Sequence, residues 1–515
     1  MTTYDRREIL KFGGAAAGAA ALGSGNLLAL TERLAGAAPA DGRGHGHRRD
    51  YGPVAPVAPV NGGPAWLALP AGFEYAVLTR TGVPMSDGTA TPRSHDGMAA
   101  FRLDRHRTRL ICNHEIRFGG SPATQGTYVV GGPAETKYDP RGFGGTTSID
   151  FDRRLFHRTG GKVRDFVSLN STVVNCAGGI GPRGRSWITC EEIVQNPGEP
   201  AAAAPENQVT RRHGYCFEVP VSLEGPVLTQ PLVAMGRFSH EAVAVDPSCG
   251  DVYETEDGGS STGSGFYRFR PSNPRNLAAG GTLEMLAVQG RPNADLRDSE
   301  GFGAPLTQGT RLRTTWVPIT QPDPDAGNST VFNEGWAAGG ALFNRLEGCW
   351  YGRGSIFFTS TSGGNAKNGD VNGPDQTGRS YPEGYGQVWE YRPRDGRLIL
   401  AFESPGGTVC DSPDNLVVTP RGGLVVCEDD SSSANAGFDD RSPFNPDLVD
   451  RNRLIGISRR GEAFTLAENI FSDSELAGAC FSPDGEFLFV NVFGTDEPDS
   501  GGTVAITGPW HRGAL

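Results

Sequence analysis

The sequence predicts an all-β fold, on three observations. Beyond residue 60, short β-branched and aromatic runs are punctuated by Gly, Pro, Asp and Asn, and few long amphipathic helical patterns interrupt them. Turn sequences such as DPSCG (246–250), TPRGG (419–423) and SPDG (482–485) separate apolar runs. The run–turn–run unit recurs six times, and six similar antiparallel units arranged radially make a six-bladed β-propeller.

Taken in chain order, residues 1–40 read as a removable leader. DRREILKFGG carries Arg6 and Arg7 ahead of the Ala/Gly-rich run AAAGAAALGSGNLLAL, a pattern similar to a twin-arginine export signal, with cleavage expected after AAPA (37–40). That run is interrupted and too weakly apolar for a stable membrane span. Residues 41–60, with His45 and His47, read as a flexible linker rather than a metal-binding tract. A single domain is expected over 61–515.

Folding each apolar pair back on its turn places ligand-type residues at the open ends. HDGMAAFRLDRHRTRLICNHE brings Asp96 to Glu115, and CAGGIGPRGRSWITCEE brings Cys176 to Glu191, beside Glu192. SHEAVAVDPSCGDVYETED brings Glu241 to the cluster of Glu254, Glu256 and Asp257. EGCWYGRGSIFFTST runs from Glu347 back to about Thr359, and DNLVVTPRGGLVVCEDD brings Asp414 to Glu428. AGACFSPDGEFLFVNV runs from Gly478 to Asn491 with no acid at its start. One such hairpin reads as a solvated face; four flanking strongly apolar runs do not. The inner strands of a propeller begin at one rim of a central channel, so the scattered acids become one ring of oxygen ligands. The polar insertions at 197–213, 361–387 and 430–450 each follow a second limb and are expected to crown that face. Residues 258–345 read as outer strands plus an insertion.

Converging carboxylates repel one another, and burying them unpaired is very costly. Protonating some of them or binding hard cations resolves the conflict, and calcium suits a ring of Asp, Glu and backbone carbonyls. Cys176, opposite Glu191 and Glu192, adds a soft ligand that points to a transition metal, iron or zinc. Without those neighbours it would read as a small buried apolar residue. His240 reads as a ligand or as a group orienting Glu241, with His95 and His114 similarly placed at limb ends. Nine cysteines without a C-x-x-C pair argue against a disulfide framework. A formal net charge of −12 argues against nucleic acid as a partner. No G-x-S-x-G elbow, P-loop or dinucleotide fingerprint is apparent.

The motifs NCAGG, TCEE, GRFSHEAVAVDP, YETED, RLEG, PDNL, CEDD, AGACFSPDGEFLFVNV and the closing GPW, in this order between about residues 60 and 511, resemble those of the PhoX-type alkaline phosphatases. The resemblance implies an exported β-propeller with a mixed iron–calcium site that hydrolyses phosphate monoesters to inorganic phosphate. It implies Cys176, Glu241 and Glu347 as ligands on the side of a ferric iron. Glu115, Glu192, Asp257 and Glu428 would be calcium-side or bridging ligands, with Glu256 and Asp414 as further candidates. Arg345, two residues before Glu347, would hold the phosphate, for which its planar donors are suited. The expected protein is a periplasmic or extracellular monomer acting on a small phosphoester. The long 361–387 loop and FGTDEPDSGGT (493–503) depart from a minimal member and bear on substrate range. Two rival readings stand beside this one. A calcium-dependent propeller hydrolase of lactonase or phytase-like class would lack a need for Cys176 and Arg345, or would favour a basic rim. A non-catalytic binding propeller would use metal for stability alone.

Overall fold

The computed structural model describes residues 50–117, 127–199, 208–259, 262–325, 327, 329–372, 379–430 and 441–515. The expected leader and the linker up to residue 49 lie outside these residues, as do 200–207, 373–378 and 431–440 of the three insertions.

Six antiparallel hairpins organise the chain. They are β1 (His95–Arg102) with β2 (Arg107–His114), β3 (Asn175–Ile180) with β4 (Ser186–Glu191), and β5 (His240–Val245) with β6 (Val252–Glu256). They continue with β7 (Leu346–Gly352) and β8 (Ser355–Ser360), β9 (Pro413–Val418) and β10 (Leu424–Glu428), and β11 (Leu476–Phe481) and β12 (Phe487–Val492). Near the turns the register follows the sequence: Gly178 faces Thr189, Leu416 faces Val426, and Cys480 faces Phe489. The first strands neighbour one another in a closed cycle, β1 to β3, β5, β7, β9, β11 and back to β1.

At the open end every hairpin slips. Pairing shifts between His95 and Met98, Asn175 and Gly178, His240 and Val243, Leu346 and Cys349, Pro413 and Leu416, and Ala477 and Cys480. Each shift is a β-bulge that leaves residues off the ladder and re-aims their side chains. The first residue released is Asp96, Cys176, Glu241, Glu347, Asp414 or Gly478 in turn. The second is small or short: Gly97, Ala177, Ala242, Gly348, Asn415 or Ala479. Space explains that choice, because a Cβ on Gly97 would meet the Ala177 Cα at 2.4 Å, and one on Gly348 the Asp414 carbonyl oxygen at 2.8 Å. Carbonyls released by the bulges are recovered by side chains of a neighbouring hairpin's second strand. Asn113 Nδ2 donates to Cys176 O at 3.1 Å and Ala177 O at 2.7 Å, Thr255 Oγ1 to Glu347 O at 2.5 Å, and Thr359 Oγ1 to Asp414 O at 2.6 Å.

Outer strands extend the hairpins. The span 258–345 supplies Phe266–Pro271, Gly281–Val288 and Arg311–Ile319, together with helix α1 (Thr330–Ala337). Arg311–Ile319 also pairs with Arg397–Glu403, so the third and fourth hairpins share one nine-stranded sheet. The start of the fold completes its end: Glu74–Val77 pairs with Gly502–Thr507, and Leu67–Pro70 pairs with Ala463–Asn469. One expectation is corrected here. The linker assignment fails for Val54–Val57, a strand paired with Leu67–Pro70. Tyr51 just before it packs edge-on against Phe73 at 5.0 Å, and its hydroxyl donates to Trp510 O at 3.0 Å. That aromatic contact orders the segment.

Candidate metal centre

The bulge residues gather at the open end. Asp96, Glu115 and Cys176 offer ligand atoms within 4.8 Å of one another, as do Cys176, Glu192 and Glu241, and then Glu241, Glu347 and Asp414. Asp414 also groups with Asp429 and Glu475. Shared members make one continuous arc from Asp96 to Glu475. Cys176 Sγ donates to Glu241 Oε1 at 3.0 Å. Gly478, with φ of 62°, takes the bulge position in β11, where a side chain would run into Asp96 O at 2.3 Å.

The electrostatics of this arc are unfavourable without cations. Burial, then the neighbouring carboxylates Glu115 and Asp414, holds the Asp96 carboxyl well above its ordinary range. Burial, then Glu347 and Glu192, does the same for Glu241. The Cys176 thiol is pushed well up by burial and by Asp96. Glu241 Oε2 is buried without a hydrogen-bond partner, an acceptor aimed into a site rich in acceptors. Hard carboxylates with one thiol form a donor set for hard cations beside one softer metal.

Six of the ten expected site residues, Cys176, Glu241, Glu347, Glu115, Glu192 and Asp414, are in these groups. Of the acidic pair in TCEE, Glu192 reaches the arc because Glu191 is engaged elsewhere. Glu191 Oε1 lies 2.7 Å from His213 Nδ1, and Glu191 Oε2 accepts the Gly214 N–H at 2.9 Å. Three expected ligands stand outside the groups. Glu428 is gripped by Arg453, whose Nη2 donates to Oε1 at 2.6 Å and Nε to Oε2 at 2.7 Å. Glu256 accepts from Tyr267 Oη at 2.5 Å and the Gly265 N–H at 3.1 Å, and burial pushes its carboxyl up to about 8. Asp257 Oδ1 accepts the Gly259 N–H at 3.0 Å, and Oδ2 lies 3.3 Å from Arg345 Nε.

Arg345, the tenth, borders the arc. Its Nη2 donates to Glu347 Oε1 at 2.5 Å, which with Asp257 fixes the plane of the guanidinium. Its backbone holds φ at 45°, a conformation a branched chain adopts only under constraint and common at functional sites.

Sequence reasoning missed several groups. Arg117 bridges Glu115 and Glu192, two residues beyond Glu115 as Arg345 is two before Glu347. Asp96 had been paired with Glu115 but not taken as a ligand. Glu475, immediately before β11 and three residues ahead of the acid-free start at Gly478, was not singled out. Asp429 lies in CEDD, one residue beyond Glu428. The histidines do not join the arc. His114 spans Arg93 O at 2.8 Å and Thr147 Oγ1 at 2.9 Å, and the His95 ring lies edge-on to it at 4.8 Å. Above the open ends, the described part of the 361–387 insertion reaches β9: Lys367 Nζ donates to Ser412 Oγ at 2.8 Å and pairs with Asp411.

A family model described as Alkaline phosphatase PhoX matches residues 50–496. The solved structure of Pseudomonas fluorescens PhoX in complex with vanadate, a transition state analogue, is similar at 18% identity and a TM-score of 0.59, covering 90% of this chain and 98% of that one. A gluconolactonase from Xanthomonas campestris aligns at 12% identity and a TM-score of 0.35, over 90% of this chain and 100% of that one. Among curated proteins no significant match is found.

Proposed function

The chain belongs to the PhoX family of alkaline phosphatases and is a metal-dependent phosphoric monoester hydrolase, and from that premise we propose that the bulge-borne arc holds ferric iron beside calcium. The observation that carries this reading is the donor set: one thiol, Cys176, among the carboxylates of Glu241, Glu347, Glu192, Glu115, Asp96 and Asp414. Cys176, Glu241 and Glu347 would hold the iron, and Glu115, Glu192 and Asp414 would hold or bridge to calcium, with Asp96 added to the set. Asp257, Glu428 and Glu256 enter through their neighbours: Asp257 steadies Arg345, while Arg453 and Tyr267 satisfy the other two.

Bound cations supply the positive charge that offsets the acidic arc and the charge developing on a phosphoryl group. The protein's own contribution is positioning. Arg345, its plane set by Asp257 and Glu347, presents N–H donors to phosphoryl oxygens. Arg117, anchored on Glu115 and Glu192, offers a second cation at the arc. The vanadate complex of the Pseudomonas fluorescens protein supports phosphoryl chemistry at this fold's site. The Arg6–Arg7 leader supports export by the twin-arginine route to the periplasm or beyond, with residues 1–40 removed and the phosphatase domain acting as a monomer.

Elemental analysis of the purified chain, with a p-nitrophenyl phosphate assay before and after exhaustive chelation, tests the reading. Iron with calcium, and loss of turnover on their removal, are expected. Cys176→Ser should lose iron and retain calcium. Full turnover by demonstrably metal-free protein would overturn the proposal.

A further inference from the structure

A second group of metal-type ligands lies outside the arc, between the second and third hairpins. Cys190 of β4 stands directly opposite Cys216 of the neighbouring strand Cys216–Pro220, with their sulfurs 3.6 Å apart. Cys216 Sγ is 3.4 Å from His240 Nδ1, and His240 Nδ1 is 3.3 Å from Glu254 Oε2. All four residues are fully buried. The surroundings are apolar, with Ile188, Met235, Phe238, Val243 and Val252 in the same core.

Two details mark the cluster as a binding site rather than packing. His240 Nε2 lies 3.1 Å from Gly236 O, so this nitrogen donates and Nδ1 faces Cys216 and Glu254. Phe238 stacks on the imidazole at 3.6 Å and holds it in that orientation. Both Glu254 oxygens are buried without an aligned hydrogen-bond partner. A ring nitrogen, a carboxylate and a sulfur then face one another in hydrocarbon, a donor set suited to a metal ion.

We propose that Cys216, His240 and Glu254 form a buried structural site for a divalent transition metal of zinc type, with Cys190 beside it. Tetrahedral coordination with ordinary zinc bond lengths separates two sulfurs by about 3.8 Å, sulfur and nitrogen by about 3.6 Å, and nitrogen and oxygen by about 3.4 Å. The Cys216–His240 and His240–Glu254 distances match the last two edges to within about 0.2 Å. Full burial of all three keeps the site from solvent, so it stabilises rather than catalyses. It ties the strand outside β4 to β5 and β6, at the seam beside Glu241.

X-ray absorption at the zinc edge tests this on the full chain grown with zinc, and again in a Cys176→Ser background that removes the arc's sulfur. About one zinc per chain, with one sulfur near 2.3 Å and at least two nitrogen or oxygen ligands, is expected in both. Cys216→Val in that background should lose the zinc–sulfur scattering. The measurement on the unsubstituted chain stands even if a variant fails to fold. Zinc without sulfur neighbours overturns the site, as does a Cys190–Cys216 disulfide found by alkylation and mass spectrometry. A free Cys216 thiol in zinc-replete protein also overturns it, leaving a buried His240–Glu254 ion pair.

Discussion

Glu241 shows how a side chain can be poorly placed for the bare chain and well placed for the loaded one. It is fully buried, and burial with Glu347 and Glu192 disfavours its charge. Glu241→Gln should therefore stabilise metal-free protein by about 1–3 kcal/mol in urea denaturation, while lowering turnover of loaded protein by on the order of 100-fold. The pH dependence has a definite sign. Asp96 and Glu241 are raised in the fold, and burial brings Glu428 up to about 7 and Glu256 to about 8. The unfolded chain loses these protons near 3.8 for Asp and 4.5 for Glu, so the fold holds more protons above that range. Chelated protein should therefore be most stable in acid and lose melting temperature as pH rises from about 4.5 through 8. Loaded protein should lose the share of this slope that Asp96 and Glu241 contribute and keep that of Glu428 and Glu256, and equal slopes for the two forms would contradict the assignment of the arc.

The bulged hairpin is the element from which the site is built, and it was only partly legible in the sequence. Turn residues and apolar runs gave the register of Leu416 with Val426 and of Gly178 with Thr189, because side-chain alternation fixes pairing near a tight turn. The bulges were not legible. Their residues look like ordinary strand starts, and the small second position, such as Gly97 or Ala242, matters only against a neighbouring hairpin far away in sequence. The fate of Glu428 was hidden for the same reason: Arg453, which claims it, lies on a later strand. Two substitutions test the bulge. Gly97→Ala places a methyl against the Ala177 backbone and should cost about 1–3 kcal/mol, with reduced metal content by elemental analysis. Thr359→Val keeps shape but removes the donor to Asp414 O, and should cost about 1–2 kcal/mol in the same assay.

For the molecule as a whole, the sheet formed by β11 and β12 is finished by strands from opposite ends of the chain, Gly502–Thr507 and Glu74–Val77. A chain ending at Ser500 loses the strand that Glu74–Val77 pairs with, and should yield no soluble, metal-loaded protein. A chain beginning at residue 61 loses only Tyr51 and Val54–Val57, and should stay active while melting a few degrees lower. The long-range pairing also sets a timetable. The segment near residue 75 waits without its partner until Gly502–Thr507 has been made. The cycle of first strands likewise closes only when β11 reaches β1, so an incomplete chain has no complete cage to offer. Ion loading of the arc should therefore follow closure of the ring, and the compartment where the ring closes bears on which ions are at hand.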